Sequence, residues 1–418
     1  MTAVAIPAKA QLVLCRNKGA FLLTFMITAT HPGMASAANF GEDVAFLNSH
    51  ADVIVLTNKE SSAKVAVVPA WQGRVMTSSA DGDSGLSFGW INRELIASGK
   101  TQPHINARGG EDRFWLGPEG GQFSIFFARG APFDLEHWFT PAAIDTLPYQ
   151  LVNQSMNRAK FTAVFALTNY SGTRLELKVN REVQLLGSAE TCAKLGAKPN
   201  PAIKLVAFET ENKITNAGRQ PWKKERGLLS IWILGMFNPW PKTTIMVPIR
   251  KGPESDLGTK VTSDYFGQVP AERLVVKEDI IYFSGDGKLR SKIGISPKRS
   301  KRVLGSYDAD NHVLTVVQFS QPANAVDYVN SLWKLQDKPY GGDAANSYND
   351  GPPEPGAKPL GPFYELESSS PAAELKSGQS LAHLHATIHL TGAESDLEPV
   401  ARAVFGVSLA DIKSALRK

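Results

Sequence analysis

Short runs rich in Val, Ile, Phe, Tyr and Thr recur between turn signals along most of this chain, and they constrain its fold more than any other feature. Val53-Ile-Val-Leu-Thr57, Lys64-Val-Ala-Val-Val68, Phe123-Ser-Ile-Phe-Phe127, Leu175-Glu-Leu-Lys-Val179, Leu229-Ser-Ile-Trp-Ile233 and Leu314-Thr-Val-Val-Gln318 are such runs. Several alternate apolar and polar residues, which sets one face on a core and the other toward water or a second sheet. Asp81-Gly-Asp-Ser-Gly85, Asn216-Ala-Gly218 and Asp286-Gly287 read as hairpin turns. Helical periodicity is sustained only near the end, where Ser395-Asp-Leu-Glu398 has the capping-box arrangement. Leu397, Val400, Val404, Leu409, Ile412 and Leu416 supply an apolar stripe there, interrupted at Gly406 and restarted at Ser408. The expected fold is all-β, a large sandwich with a C-terminal helical segment over 395–417.

The first residues read differently. Lys9, Arg16 and Lys18 precede the apolar run from Gly19 to Ala29, and Ala35-Ser-Ala37 follows it. A cationic stretch, a run too short to span a bilayer and a small-x-small site predict a signal peptide over 1–37, cleaved after Ala37. The mature protein is then expected in the periplasm or secreted, as one domain over 38–418 with no membrane span. Cleavage lowers the formal charge from +5 to +2, which argues against a nucleic-acid footprint. Lys298-Arg-Ser-Lys-Arg302 is a dense cationic stretch and reads as a solvated turn. Cys15 lies in the leader, so Cys192 alone remains and the fold must be held by its core. Asp350-Gly-Pro-Pro-Glu-Pro-Gly-Ala-Lys-Pro359 reads as a rigid loop within the domain, placed over the site.

The densest polar and aromatic cluster is His104-Ile-Asn-Ala-Arg-Gly-Gly-Glu-Asp-Arg-Phe-Trp-Leu-Gly-Pro-Glu119. His104, Asn106, Arg108, Glu111, Asp112 and Arg113 beside Phe114 and Trp115 could hold sugar hydroxyls and a ring face. The same set could equally be an Arg–acid network bracing a sheet corner. Gly109 and Gly110 permit a tight turn or a close approach of backbone to a ligand. Glu365 and Glu367 share one face of a strand, where like charges raise one apparent pKa; the alternative is that one is an outward surface residue and the other merely pairs with an arginine. Asn346, Tyr348, Asn349 and Asp350, in a late loop just before them, are further hydroxyl-binding candidates, against turn chemistry alone. His383, His385 and His389 share a face but lack partners that would complete a metal site, so a polar outer face is the expectation. Phosphate-loop, Gly-x-Gly-x-x-Gly and Gly-x-Ser-x-Gly patterns are absent, and no cofactor or metal is expected.

Three stretches resemble the galactose-mutarotase-like superfamily, whose fold is a large β-supersandwich. They are Gln72–Gly82 with Leu86-Ser-Phe-Gly89, the 104–119 segment, and Phe363-Tyr-Glu-Leu-Glu-Ser-Ser-Ser-Pro371 with Leu375-Lys-Ser-Gly-Gln379. Gly-Gly-Glu-Asp-Arg-Phe-Trp and Asn-Ser-Tyr-Asn-Asp-Gly are similar to phrases of an exported bacterial branch that carries no established reaction. The resemblance implies that Glu367, with Glu365 as alternate, is the general base. It supplies no match to the family's mid-chain acid histidine. The nearest phrase, Ser263-Asp-Tyr-Phe-Gly267, offers Asp264 as a donor, and His104 or His137 could bring a proton from another direction. The implied function is an exported carbohydrate-active protein that binds a small sugar or glycan end in a concave cleft and catalyses epimerisation or related proton transfer. The alternative is a non-catalytic periplasmic carbohydrate-binding protein on the same fold.

Overall fold

The computed structural model describes residues 38–416, and its named strands pair antiparallel into sheets of ten, five and three strands. The expected β-sandwich with short C-terminal helices is what forms. The leader expected over 1–37 lies outside the described residues. No helix among the described residues is long and apolar enough to cross a membrane.

The ten-stranded sheet runs in space from Leu274–Val276 at one edge, through Val313–Phe319, Ser380–Thr391 and Lys204–Asn216, to Gln150–Ser155 at the other. In the middle of the sheet both faces are buried. Leu314, Val316, Ile388 and Leu390 pack under the C-terminal helices, against Leu397, Val400, Phe405, Leu409 and Ile412. Val206, Phe208, Leu304 and Val317 face the five-stranded sheet, meeting Ile231, Ile233, Phe114 and Leu366. That smaller sheet is ordered Ser291–Ile295, Ala345–Asn349, Tyr364–Ser369, Ser230–Phe237, Arg113–Gly117. Its other face carries the cavity described below.

Several local expectations are corrected. The 123–127 run is not a strand: Phe126 and Phe127 are buried in an aromatic cluster, and Phe127 makes only an isolated bridge to Trp138. The three turn phrases are not hairpins, because each leaves one sheet for another. Asn216 ends a strand of the large sheet and the chain next enters the small sheet at Ser230, while Asp286-Gly287 links Ile280–Ser284 to Ser291–Ile295 in the same way. Turn residues report a bend in the chain and say nothing of which strand the next one will pair with. Short helices at Phe40–Asn48, Arg93–Ser98 and Ser188–Leu195 went unread because one or two turns carry too few periods.

The last helices also start differently. Glu394–Phe405 is capped by Ala393 with no side-chain bond, so Ser395 sits in the first turn. Leu409–Ser414 does begin at Ser408, whose Oγ accepts from the Asp411 N–H at 3.0 Å. In the basic run Arg299 is fully buried, and its guanidinium donates to the Arg250, Gly252 and Gly258 carbonyls, which ties three loop positions together. Gly109 and Gly110, at φ +95° and +114°, serve backbone packing: a Cβ on Gly109 would lie 2.0 Å from the Trp90 carbonyl oxygen.

Candidate active site

A cavity of about 460 Å³ opens on the second face of the five-stranded sheet. Strand alternation builds its floor. In Arg113–Gly117 and Ser230–Phe237, Phe114, Leu116, Ile231 and Ile233 enter the core, and Arg113, Trp115, Trp232, Leu234 and Met236 line the cavity. Register sets the rest: Lys292 lies opposite Tyr348, Tyr348 opposite Glu365 and Glu365 opposite Met236. The next rung runs Asn346, Glu367, Leu234, Arg113, and the rung beyond pairs Trp232 with Trp115. Loops supply the walls, with Trp138, Trp333, Phe266, Arg290 and the Asp350–Leu360 segment.

Four tryptophans therefore face one hollow, each held by another ring. Trp115 meets Trp232 edge-on at 5.5 Å, and Trp138 stacks between Phe126 at 5.8 Å and Trp333 at 5.9 Å. The Trp115 and Trp138 indole N–H groups have no partner although they are buried. Such a surface offers flat apolar faces with donors at their edges, the mix a small polar ring-shaped ligand requires.

The ionic groups cross the rungs diagonally. Arg113 Nη2 donates to Glu365 Oε1 at 2.7 Å, and Lys292 Nζ donates to Glu367 Oε2 at 3.0 Å. The Trp232 indole N–H donates to the same Glu367 oxygen at 2.8 Å, while Glu367 Oε1 is unpartnered. Burial pushes Glu365 up to about 8; Arg113 opposes the shift and Glu367 adds to it. Glu119, at the cavity edge, is lifted to about 7 by loss of hydration, against the pull of Lys292. Loss of hydration would lower Lys292, but Glu367, Glu119 and Glu365 hold it above its ordinary value. A small adjoining hollow contains Asp343, raised to about 6 by loss of hydration and bonded to the Tyr265 hydroxyl. The site thus combines carboxyl groups that titrate near neutrality with fixed cations.

The sequence candidates divide between this cavity and other places. His104, Arg113, Trp115, Tyr348, Asp350 and Glu365 line it. Glu367 sits just beneath, fully buried, and Asn346 lines the adjoining hollow. His104 stacks on Phe139 with centroids 4.4 Å apart, and its Nδ1 lies 2.6 Å from the Trp138 carbonyl oxygen. Asp350 accepts from the Tyr348 hydroxyl at 2.8 Å and the Gly361 N–H at 2.9 Å.

Other candidates hold the scaffold. Asn106 donates to the Asp145 carboxylate at 2.7 Å, and Arg108 donates to the Asp145 carbonyl at 3.3 Å beneath Trp71. Glu111 faces the sheet interior, accepting from Ser78 at 2.9 Å and lying 2.9 Å from His389 Nε2. Asp112 pairs with Arg181 at 2.6 Å, both fully buried. Asn349 braces the 286–289 turn, accepting from the Gly287 N–H and donating to the Leu289 carbonyl. Asp264 is exposed and lines neither hollow, whereas its neighbours Tyr265 and Phe266 do. His137 is half-buried, lies outside both hollows and pairs with Asp134. The histidines 383, 385 and 389 are buried between the sheets, not on an outer face, held by Ser368, Ser320, Thr315 and Glu111.

Sequence reading missed Glu119, Lys292, Arg290, Trp138, Trp232, Trp333 and Asp343. A lysine inside the apolar strand Ser-Lys-Ile-Gly-Ile was a usable signal, because a buried cation needs an acid partner. The tryptophans of loops carried none.

No curated protein matches the sequence. The solved structure of the Slr1438 protein from Synechocystis sp. PCC 6803 is similar at 14% identity, covering 82% of this chain and 96% of that one, with a TM-score of 0.48. A putative aldose 1-epimerase from Escherichia coli K12 is similar at 11% identity, over 81% of this chain and 98% of that one, with a TM-score of 0.46. A galactose mutarotase-like protein from Lactobacillus casei ATCC 334 is similar at 12% identity, over 81% and 100%, with a TM-score of 0.43. A family model matches residues 38–416, nearly the whole chain, and the protein belongs to that family, described as a family of unknown function (DUF6786).

Proposed function

We propose that this protein binds a sugar in the tryptophan-lined cavity and moves a proton on it, in the manner of an aldose epimerase. The observation that carries the reading is Glu365. It is a carboxyl group raised to about 8 that lines a cavity walled by four indole rings. A group protonated at neutral pH can donate to a ring oxygen, and Glu119, at about 7, can take the proton of the anomeric hydroxyl. The ring then opens to the aldehyde and recloses on its other face, returning both protons, so no oxidant or cofactor is consumed. The cavity volume lies within the range of small-molecule sites, about 300–1,000 Å³. Export belongs to the same proposal and rests on the leader pattern over 1–37; mass spectrometry of the mature N-terminus tests it, with Ala38 expected first.

Exchange between the anomers of candidate aldoses, followed by NMR with and without protein, tests the chemistry. Acceleration that disappears in Glu365→Gln is expected. Tight binding by calorimetry with no acceleration in the unsubstituted protein would instead favour a carbohydrate-binding protein. One observation favours that second reading: Glu365 is already engaged by Arg113.

A further inference from the structure

The cations around the cavity are not equivalent. Arg113 is committed to Glu365, Lys292 to Glu367, and Lys358 reaches Glu94 at 3.2 Å on the rim. Arg290 also lines the cavity, and its side chain makes no hydrogen bond or ion pair with any described residue. Its position is nonetheless fixed: the guanidinium carbon sits 3.9 Å from the centroid of the Phe266 ring. Stacking of that kind holds the plane of the guanidinium and leaves its N–H edge free. Asp350, an acid of the same wall, already accepts from Tyr348 and Gly361.

We propose that the sugar taken by this cavity carries a carboxylate, as a uronic-acid unit does, and that this carboxylate docks on Arg290. The inference rests on the sugar reading above and names the substrate class within it. A guanidinium fork presents two parallel N–H donors that match the two oxygens of a carboxylate. Arg290 is preorganised for that match, since Phe266 fixes its plane before the ligand arrives. Of the acids in the wall, Glu365 and Glu119, with pKa values near 8 and 7, are largely or partly protonated at neutral pH, Asp350 is raised by burial, and Glu136 is exposed. A dianionic phosphate is less well served, because one guanidinium fork pairs two oxygens and leaves the third oxygen and the second charge without a matching donor.

Calorimetric titration with methyl glycosides of uronic acids, their neutral hexose counterparts and the matching hexose 6-phosphates separates these cases. The expected result is a uronide preferred at least tenfold over its neutral counterpart and over the phosphate, with the preference weakening as salt is added. In Arg290→Met the acid-to-neutral ratio should fall to near one, and Arg290→Lys should retain part of it. Thermal melts establish that each variant is folded. Equal binding of acid and neutral glycosides, a stronger phosphate, or a preference that survives Arg290→Met each overturns the proposal while leaving the sugar site standing. Absence of binding by every glycoside sinks both readings together.

Discussion

Arg113 and Glu365, 252 residues apart in the chain, meet at 2.7 Å across the strand that lies between them. That contact joins two sequence segments that separately carry the cluster of aromatic and charged residues and the paired carboxylates. Sheet register alone brings them together, because the Ser230–Phe237 strand pairs with both. Three more residues on the same face, Lys292, Tyr348 and Trp232, then surround the pair of carboxylates.

The first prediction concerns Glu365 and pH. Its folded-state pKa of about 8 lies above its ordinary 4.5, so the folded protein holds a proton that the unfolded chain gives up. The associated stability is complete below about 4.5 and is lost as pH rises through about 8. Glu365→Gln mimics the protonated form and removes that dependence. Urea unfolding from pH 5 to 9 should show the variant gaining on the unsubstituted protein, by at most about 1.4 kcal/mol per pH unit. Parallel stability curves would show that the carboxyl is ionised in the fold throughout.

The second concerns Lys292 and Glu367, which are both buried and bonded to each other at 3.0 Å. Removing one partner of such a pair leaves a charge without compensation, at a cost of about 3–5 kcal/mol. Lys292→Met and Glu367→Gln should each destabilise by that order. The double variant should be far less destabilised than their sum, because no buried charge is stranded. Additive single effects in a double-mutant cycle would mean that the two groups act independently.

What the sequence could and could not convey follows from these contacts. Alternation exposed the strands and marked Glu365 and Glu367 as sharing a face, since that rule is local. Cluster density, which grouped Glu111 with Arg113, is no guide to the face each takes. They are two apart, yet the positive-φ glycines 109 and 110 and the lone bridge between Val75 and Asp112 break the regular pleat just before Arg113. Glu111 consequently faces His389 while Arg113 faces the cavity. Lys292, Trp232 and Glu119 reach the site through register between distant strands or through loop paths, which no local pattern encodes. The buried histidines were misread for a related reason: alternation says that three side chains share a face, and only the second sheet decides that the face is an interior one.

The third prediction tests the aromatic wall. Trp138 stacks between Phe126 and Trp333 and presents its remaining surface to the cavity. Trp138→Leu keeps an apolar side chain but removes the ring edge with its unpartnered indole N–H, a donor whose hydrogen bond to a ligand contributes roughly 0.5–1.5 kcal/mol. A glycoside that binds the unsubstituted protein should bind this variant up to about tenfold more weakly. Titration followed by tryptophan fluorescence measures both affinities. An unchanged affinity would place the sugar against another wall.

The last prediction concerns the histidines between the sheets. His383 Nε2 and His385 Nδ1 both lie 2.8 Å from the Ser368 hydroxyl, and both rings are fully buried. Burial lowers His383 to about 3, with His385 adding to the effect. Burial likewise lowers His385 to about 4; Asp112 opposes that shift and Arg181 adds to it. Exposed in the unfolded chain, each returns to an ordinary value near 6.5. Below that pH the unfolded state binds more protons than the folded state, so stability is complete above about 6.5 and falls as the solution is acidified toward 4. Each histidine contributes up to about 1.4 kcal/mol per pH unit across that window. Many carboxylates titrate in the lower part of it, so the comparison must be with a variant. His385→Asn keeps a small polar group near Ser368 and cannot take up a proton. Its urea midpoint at pH 7 is expected to fall below that of the unsubstituted protein, and its loss between pH 7 and 5 to be smaller. Equal losses over that interval would mean that His385 reaches solvent or finds an acid partner when charged, and that the layer between the sheets is not dry.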